Sequence, residues 1–304
     1  MIPSTPRGLV DAASALILGK RDRLELALAC MIAGGHLLIE DVPGTGKTTL
    51  AHVMARLFGL DFRRVQFTSD LLPADILGVS VFERDTGGFR FHPGPVFTQV
   101  LLADEVNRAT PRTQSALLEA MEEHQVSVDG ETRALPEPFF VIATQNPASQ
   151  IGTFPLPESQ LDRFTMRITM GYPDPAAERA LLTGRDRRSL LADLAPVADA
   201  ALLTRWRQQA ASLHVADALI DYVQALIIHT RSSGHYRLGL SPRAGLALLA
   251  AARAHALIAG RAHVLPEDIQ SVLPAVALHR LPLLEPAPAE DAARALIQAV
   301  PLPH

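Results

Sequence analysis

Cysteine is nearly missing from this chain of 304 residues: Cys30 is its one thiol, which excludes an internal disulfide framework. It sits in the apolar stretch Leu26 to Ile32, where an inert core thiol is expected. Lysine is almost as scarce, occurring only at Lys20 and Lys47, while arginine carries the rest of the positive charge. Long apolar runs are lacking too. The longest, Leu26 to Ile39, contains Gly34, Gly35 and His36 and falls short of the roughly 20 residues that span a bilayer, so no membrane span is expected. Met1 to Gly8 shows no basic segment leading into an apolar one, and the pattern points to the cytoplasm. There is no net positive charge: a balance of -4 and a pI near 6.3 argue against a dedicated duplex-binding protein. The eleven histidines form no H-E-x-x-H pair, no Cys/His zinc spacing exists, and no G-x-S-x-G elbow occurs. Zinc and serine-nucleophile chemistries therefore fare poorly, and the histidines are expected to be surface or core residues.

What remains is the composition of a globular protein. Hydrophobic residues make up 48% and charged residues 20%, which excludes wholesale disorder, and the length suits one large or two modest domains. No internal repeat is evident.

The segment His36 to Glu40 reads as a short buried strand, and Leu50, Val53, Met54, Leu57 and Phe58 recur at helical spacing, with Gly59 as a stop. Between them lies Asp41-Val-Pro-Gly-Thr-Gly-Lys-Thr48, a glycine-rich loop joining a strand end to a helix start. Such a loop turns successive N–H groups inward, and the helix N-terminus adds positive potential toward a polyphosphate. The candidate phosphate-binding residues are Asp41, Val42, Pro43, Gly44, Thr45, Gly46, Lys47, Thr48 and Thr49. Lys47 is the point charge for the β and γ phosphates of ATP, and Thr48 offers its hydroxyl to Mg²⁺. Asp41 stands where the general G-x-x-x-x-G-K-[ST] pattern has glycine.

Fifty-six positions after Thr48, the apolar run Val100-Leu-Leu-Ala ends in Asp104 and Glu105. Neighbours on a strand face opposite ways, but at the strand exit the second carboxylate can turn toward a γ-phosphate. Asp104 is the candidate Mg²⁺ ligand, acting through the ion's water shell, and Glu105 the group that orients or deprotonates the attacking water.

These residues resemble the AAA+ ATPases and, more narrowly, the MoxR family, over nearly the whole chain. The most specific stretches are Glu40 to Thr48, Asp104 to Ala109, Thr113 to Glu122, Ala143 to Pro147 and Leu161 to Phe164, and Asp41 itself is similar to MoxR usage. The resemblance implies that Asn146 is the sensor 1 residue between the acids and the phosphate, where an amide can hold water without acting as a base. It implies that Arg163 is an arginine finger for a neighbouring subunit's nucleotide, the alternative being a solvated or salt-bridged arginine. Arg243, after the Ser241-Pro242 helix start, resembles sensor 2, acting on its own or on a neighbour's nucleotide. Ile17 and Leu18 are candidates either for packing on adenine or for the core.

Strand and helix alternate through position 170, the pattern of a parallel sheet covered on both faces, and ligand should sit at the strand carboxyl ends. Two hairpins are expected, Val79 to Phe91 and Gln125 to Leu135, the second turning at Asp129-Gly130. They are either ordinary solvent hairpins or, as in related ATPases, elements facing a ring channel or partner. Thr110-Pro111 caps a helix to about His124. Beyond Tyr172 only helices are expected, near 176–183, 198–212, 215–230, 242–260 and 266–280, with a proline-rich, partly irregular tail. The run Arg185-Asp-Arg-Arg188 is a candidate basic patch or a solvated loop.

The expected fold class is therefore α/β: a P-loop NTPase core of three αβα layers at 1–172, followed by an all-α lid at 173–304. The resemblance implies Mg²⁺-dependent ATP hydrolysis by a homo-oligomeric, hexameric ring. It further implies chaperone-like remodelling of, or metal-cofactor insertion into, a protein client, often one with a von Willebrand factor A domain. A magnesium-chelatase-like motor subunit and a nucleotide-gated binding scaffold remain as alternatives. A nucleic-acid motor has only the hairpins and scattered arginines in its favour.

Overall fold

A computed structural model describes residues 5–85, 87–146, 152–183, 191, 194–285 and 287–302. The basic run Arg185 to Arg188, Pro147 of the Ala143 to Pro147 stretch, and the tail prolines Pro286 and Pro303 lie outside the described residues. In chain order the strands are β1 Leu37–Glu40, β2 Phe62–Gln66, β3 Gly78–Glu83, β4 Gly88–Pro93, β5 Val100–Asp104, β6 Gln125–Val128, β7 Glu131–Ala134, β8 Phe140–Gln145 and β9 Met166–Ile168. The main sheet has the order β2-β5-β8-β1-β9, with β2 parallel to β5 and β5 parallel to β8.

By packing, the chain falls into two units. One comprises residues 38–163 and 169–200, the other 1–37, 164–168 and 201–304. In the first, β5 is buried along its whole length and β8 along all but Gln145, as a parallel sheet covered on both faces requires. β2 lies at the sheet edge, and its Arg63, Arg64 and Gln66 are exposed. The helix Lys47–Leu57 buries Leu50, Val53, Met54 and Leu57, the stripe its sequence spacing predicts. The helix Pro111–Glu123 starts where Thr110 Oγ1 accepts from the Thr113 amide, and ends at His124 in a left-handed conformation.

Both predicted hairpins are present. β3 pairs antiparallel with β4, and β6 with β7 through Asp129 and Gly130, both at positive φ as a two-residue primed turn requires. Arg133 of β7 places its guanidinium 4.0 Å from the Phe91 ring centroid of β4, so the hairpins touch. Phe82 and Phe89 remain exposed, meeting each other edge to face at 5.4 Å.

Among its described residues the second unit is mostly helical and carries β9. Its middle is Pro242–Ile258, whose small buried residues Ala244, Gly245, Ala251 and Ala252 allow close approach by Arg21–Ile32 and Pro266–Ala277. A methyl on Gly245 would lie 2.6 Å from Ile227 Cδ1. Ile17 is buried here, and Cys30 is wholly buried, with burial pushing its thiol up to about 12. The helix expected over 266–280 ends as α-helix at Ala277 and continues as a 3₁₀ turn, Leu278–Arg280. The proline-rich tail holds a regular helix, Ala289–Ala299, which the sequence reading did not include. Among the described residues, no helix is long and apolar enough to cross a membrane.

Candidate nucleotide site

β1 delivers the chain to the glycine-rich loop, and two glycines shape it. Gly44 and Gly46 have φ of 87° and 91°, and a Cβ at either would meet nothing within 4 Å. The left-handed backbone, not crowding, is what calls for glycine there. Asp41 braces the loop entrance. Its Oδ1 accepts from the Val42 amide at 2.7 Å and its Oδ2 from the Gly171 amide at 2.6 Å, while its own N–H donates to the Gln145 carbonyl at 3.2 Å. The residue that departs from the general motif thus ties the loop to the carboxyl ends of neighbouring chain segments.

Lys47 opens the helix with its side chain buried. Its ammonium donates to the carbonyls of Asp41 at 2.6 Å and Val42 at 2.9 Å, leaving one of three donors for an incoming anion. Burial lowers its pKa below 10.5, and the nearby charges of Asp41, Asp104 and Glu105 oppose that fall. The first-turn amides of this helix have no intrahelical acceptor and carry the positive end of the helix dipole, so the loop is built to hold an anion.

Asp104 ends β5, almost wholly buried. Its Oδ1 accepts from the Thr144 hydroxyl at 2.6 Å, and its Oδ2 accepts from Arg64 Nε at 3.1 Å and Nη2 at 2.6 Å. The next residue, Glu105, has φ 56° and ψ 48°, a left-handed conformation that costs a non-glycine residue about 1–3 kcal/mol. That reversal turns its carboxylate out of the strand direction. The Glu105 N–H donates to Thr144 Oγ1 at 2.9 Å, so one hydroxyl fixes both acids. Asn146 lies just past the end of β8, and its Nδ2 donates to Glu105 Oε1 at 3.0 Å. Glu105 Oε2 accepts from Gln66 Nε2 at 2.8 Å and Arg108 Nη1 at 3.1 Å.

The fold therefore brings Asp104, Glu105 and Asn146 together, all at the carboxyl ends of β5 and β8. It adds Thr144, Arg64, Gln66 and Arg108, which sequence reasoning missed. Arg64 and Gln66 share one face of β2 by alternation, but only the strand order puts that face beside β5. Arg163 belongs to the same unit and pairs with Glu122 at 3.0 Å, the salt-bridged alternative considered for it. Arg243 is exposed on the first turn of Pro242–Ile258, behind the Ser241 cap, in the other unit.

The donor set fits Mg²⁺. Among the described residues no group of three His, Cys, Asp or Glu gathers as a protein-only metal cage. Mg²⁺ commonly takes one or two carboxylates plus phosphate oxygens and water, and the Asp104 carboxylate and Thr48 hydroxyl are oxygen donors of that kind.

A phosphate loop leading from a parallel strand into a helix, followed by paired acids and a helical lid, defines a P-loop ATPase of the AAA+ class. The family model for the ATPase family associated with various cellular activities (AAA) matches residues 36–166, and that for the AAA lid domain matches 228–300. The chain is 42% identical to protein YeaC of Bacillus subtilis (strain 168), covering 97% of this chain and 93% of YeaC. It is 40% identical to Chaperone MoxR1 of Mycobacterium tuberculosis, covering 95% and 80%, and 34% identical to MoxR of Paracoccus denitrificans, covering 91% and 89%. A crystal structure from Cytophaga hutchinsonii ATCC 33406 superposes with a TM-score of 0.87 at 33% identity, covering 98% of this chain and 94% of the other. The chain belongs to the MoxR family of AAA+ ATPases.

Proposed function

We propose that the protein hydrolyses ATP with Mg²⁺ in a cytoplasmic homo-oligomeric ring, a hexamer, and uses the reaction to remodel a client protein. The observation that carries the reading is the Asn146–Glu105 hydrogen bond beside Asp104, in the same packing unit as the phosphate loop. The loop amides and Lys47 hold the β and γ phosphates. Thr48 and Asp104 hold the metal, which supplies charge neutralisation on the phosphate oxygens when bound. Glu105 takes the proton of the attacking water, and Asn146 orients that water without competing for the proton. Functionally, 1–172 acts as the nucleotide-binding core and 173–304 as the lid.

In a ring, Arg163 exchanges Glu122 for a neighbour's γ-phosphate, where a guanidinium supplied in trans is worth about 10³ to 10⁵ in rate. Arg243 reports nucleotide state to the lid. The exposed Phe82–Phe89 pair gives the first hairpin an apolar tip for contact with the client, in keeping with the chaperone named among the relatives.

The test is ATP turnover in two variants. Lys47→Ala should lose nucleotide binding and turnover, whereas Glu105→Gln should keep binding and lose turnover. Wild-type turnover in Lys47→Ala would end the reading. Co-purification on a Glu105→Gln trap would identify the client, with a von Willebrand factor A domain protein as the expected class.

A further inference from the structure

Arg64 is not used by the hydrolytic scheme, yet it makes the closest cationic contact to the acid assigned to the metal. Both its Nε and Nη2 converge on Asp104 Oδ2, at 3.1 and 2.6 Å. Its own side chain is 48% exposed while that of Asp104 is 10% exposed. The pair is therefore asymmetric. A nearly buried carboxylate needs a compensating charge, whereas a half-exposed guanidinium can return to water at little cost.

We infer that Arg64 is a displaceable stand-in for the divalent cation: it neutralises Asp104 until the metal arrives and competes with the metal for Oδ2. This inference rests on the reading of Asp104 as the metal carboxylate. A guanidinium and a hydrated dication cannot share one carboxylate oxygen without strong mutual repulsion, so one must yield. The mobile partner is Arg64, because Asp104 Oδ1 is tied to Thr144, whose hydroxyl also holds the Glu105 amide.

Displacement has a second consequence. Arg64 Nη2 also donates to Gln66 Oε1 at 3.2 Å, and Gln66 Nε2 donates to Glu105 Oε2 at 2.8 Å. The chain Asp104, Arg64, Gln66, Glu105 is continuous, so departure of Arg64 removes the contact that orients the Gln66 amide against the general base. Arg64 thus acts as a positioning residue that links occupancy at Asp104 to the setting of Glu105.

The experiment titrates Mn²⁺ into protein loaded with a non-hydrolysable ATP analogue and follows the free-ion signal by electron paramagnetic resonance. Arg64→Ala should bind Mn²⁺ about fivefold more tightly than wild type, the factor that corresponds to ~1 kcal/mol for a part-exposed ion pair. Arg63→Ala, one residue away on the opposite face of β2, should match wild type. Arg64→Lys keeps the charge but loses the double contact and should fall between the two, which carries the test should Arg64→Ala not fold. Asp104→Asn, loaded with the same analogue, serves as the reference for the site itself. Mn²⁺ binding in Arg64→Ala and Arg64→Lys that equals or falls below wild type, while Asp104→Asn still loses Mn²⁺, overturns the role of Arg64 alone. Undiminished Mn²⁺ binding in Asp104→Asn overturns the assignment of the metal carboxylate beneath it.

Discussion

Asn146 donates to Glu105 Oε1 at 3.0 Å across two neighbouring strands, and it does so from a buried position. An amide there orients the carboxylate and remains neutral at every working pH. Asn146→Asp would place a second carboxylate against the first, and like charges at hydrogen-bonding distance raise the pKa of the pair. ATP turnover at pH 7 is expected to fall by about 10²-fold, the usual scale for loss of general-base function. Part of the loss should return as pH rises and both acids ionise. A flat pH profile for the variant, or unchanged turnover, would remove Asn146 from the role given to it.

The parts of this site that could be read from the residues are those whose signals are local. The loop from Asp41 to Thr48 carries its own glycines, the following helix repeats its apolar residues at 3.6-residue spacing, and Asp129-Gly130 dictates a tight turn. Thr110-Pro111 marks a helix start for equally local reasons. The resemblance to MoxR proteins rests on the same short stretches.

What was not legible is what strand order creates. Arg64 lies 40 positions from Asp104, Gln66 lies 39 from Glu105, and Thr144 lies 40 from Asp104. No periodicity links them; they meet because β2 and β8 flank β5. The helix Ala289–Ala299 was obscured differently. Prolines on both sides suggested an irregular tail, yet the intervening residues are proline-free and place Ala292, Ala293 and Leu296 on one buried face. Proline at the boundary of a helix limits its length without opposing its formation.

Gly35 makes a close approach that a methyl would fill. An added Cβ would lie 1.9 Å from Thr165 Oγ1 and 2.3 Å from Thr165 Cβ, although Gly35 needs no left-handed backbone. Gly35→Ala should cost about 1–3 kcal/mol of stability by overpacking, read from urea unfolding. Trimming Thr165 to alanine removes Oγ1 but leaves the Cβ in place, so it should give little relief, whereas Thr165→Gly should recover most of the loss in a double-mutant cycle. Equal recovery in both backgrounds, or no penalty for Gly35→Ala alone, would contradict the packing described.

His279 should make the second unit sensitive to acid. Its Nε2 lies 3.0 Å from the Phe164 carbonyl, which can only accept, so Nε2 carries a proton. Burial pushes the imidazole well below 6.5, and the positive charges of Arg280 and Arg167 push it further, against smaller opposing contributions from backbone contacts at Phe164 and Ala275. A histidine whose folded pKa is depressed supports the fold fully above its unfolded pKa. As pH falls below 6.5 the unfolded chain takes up a proton that the folded chain refuses, so stability drops. The slope should approach about 1.4 kcal/mol per pH unit for this one group. Glutamine at position 279 can still donate to Phe164 but does not titrate. Urea unfolding of His279→Gln between about pH 6.5 and pH 5 should therefore show a shallower loss than wild type, by up to one proton's worth of slope. Parallel stability curves for the two proteins would mean that the buried ring does not govern this transition.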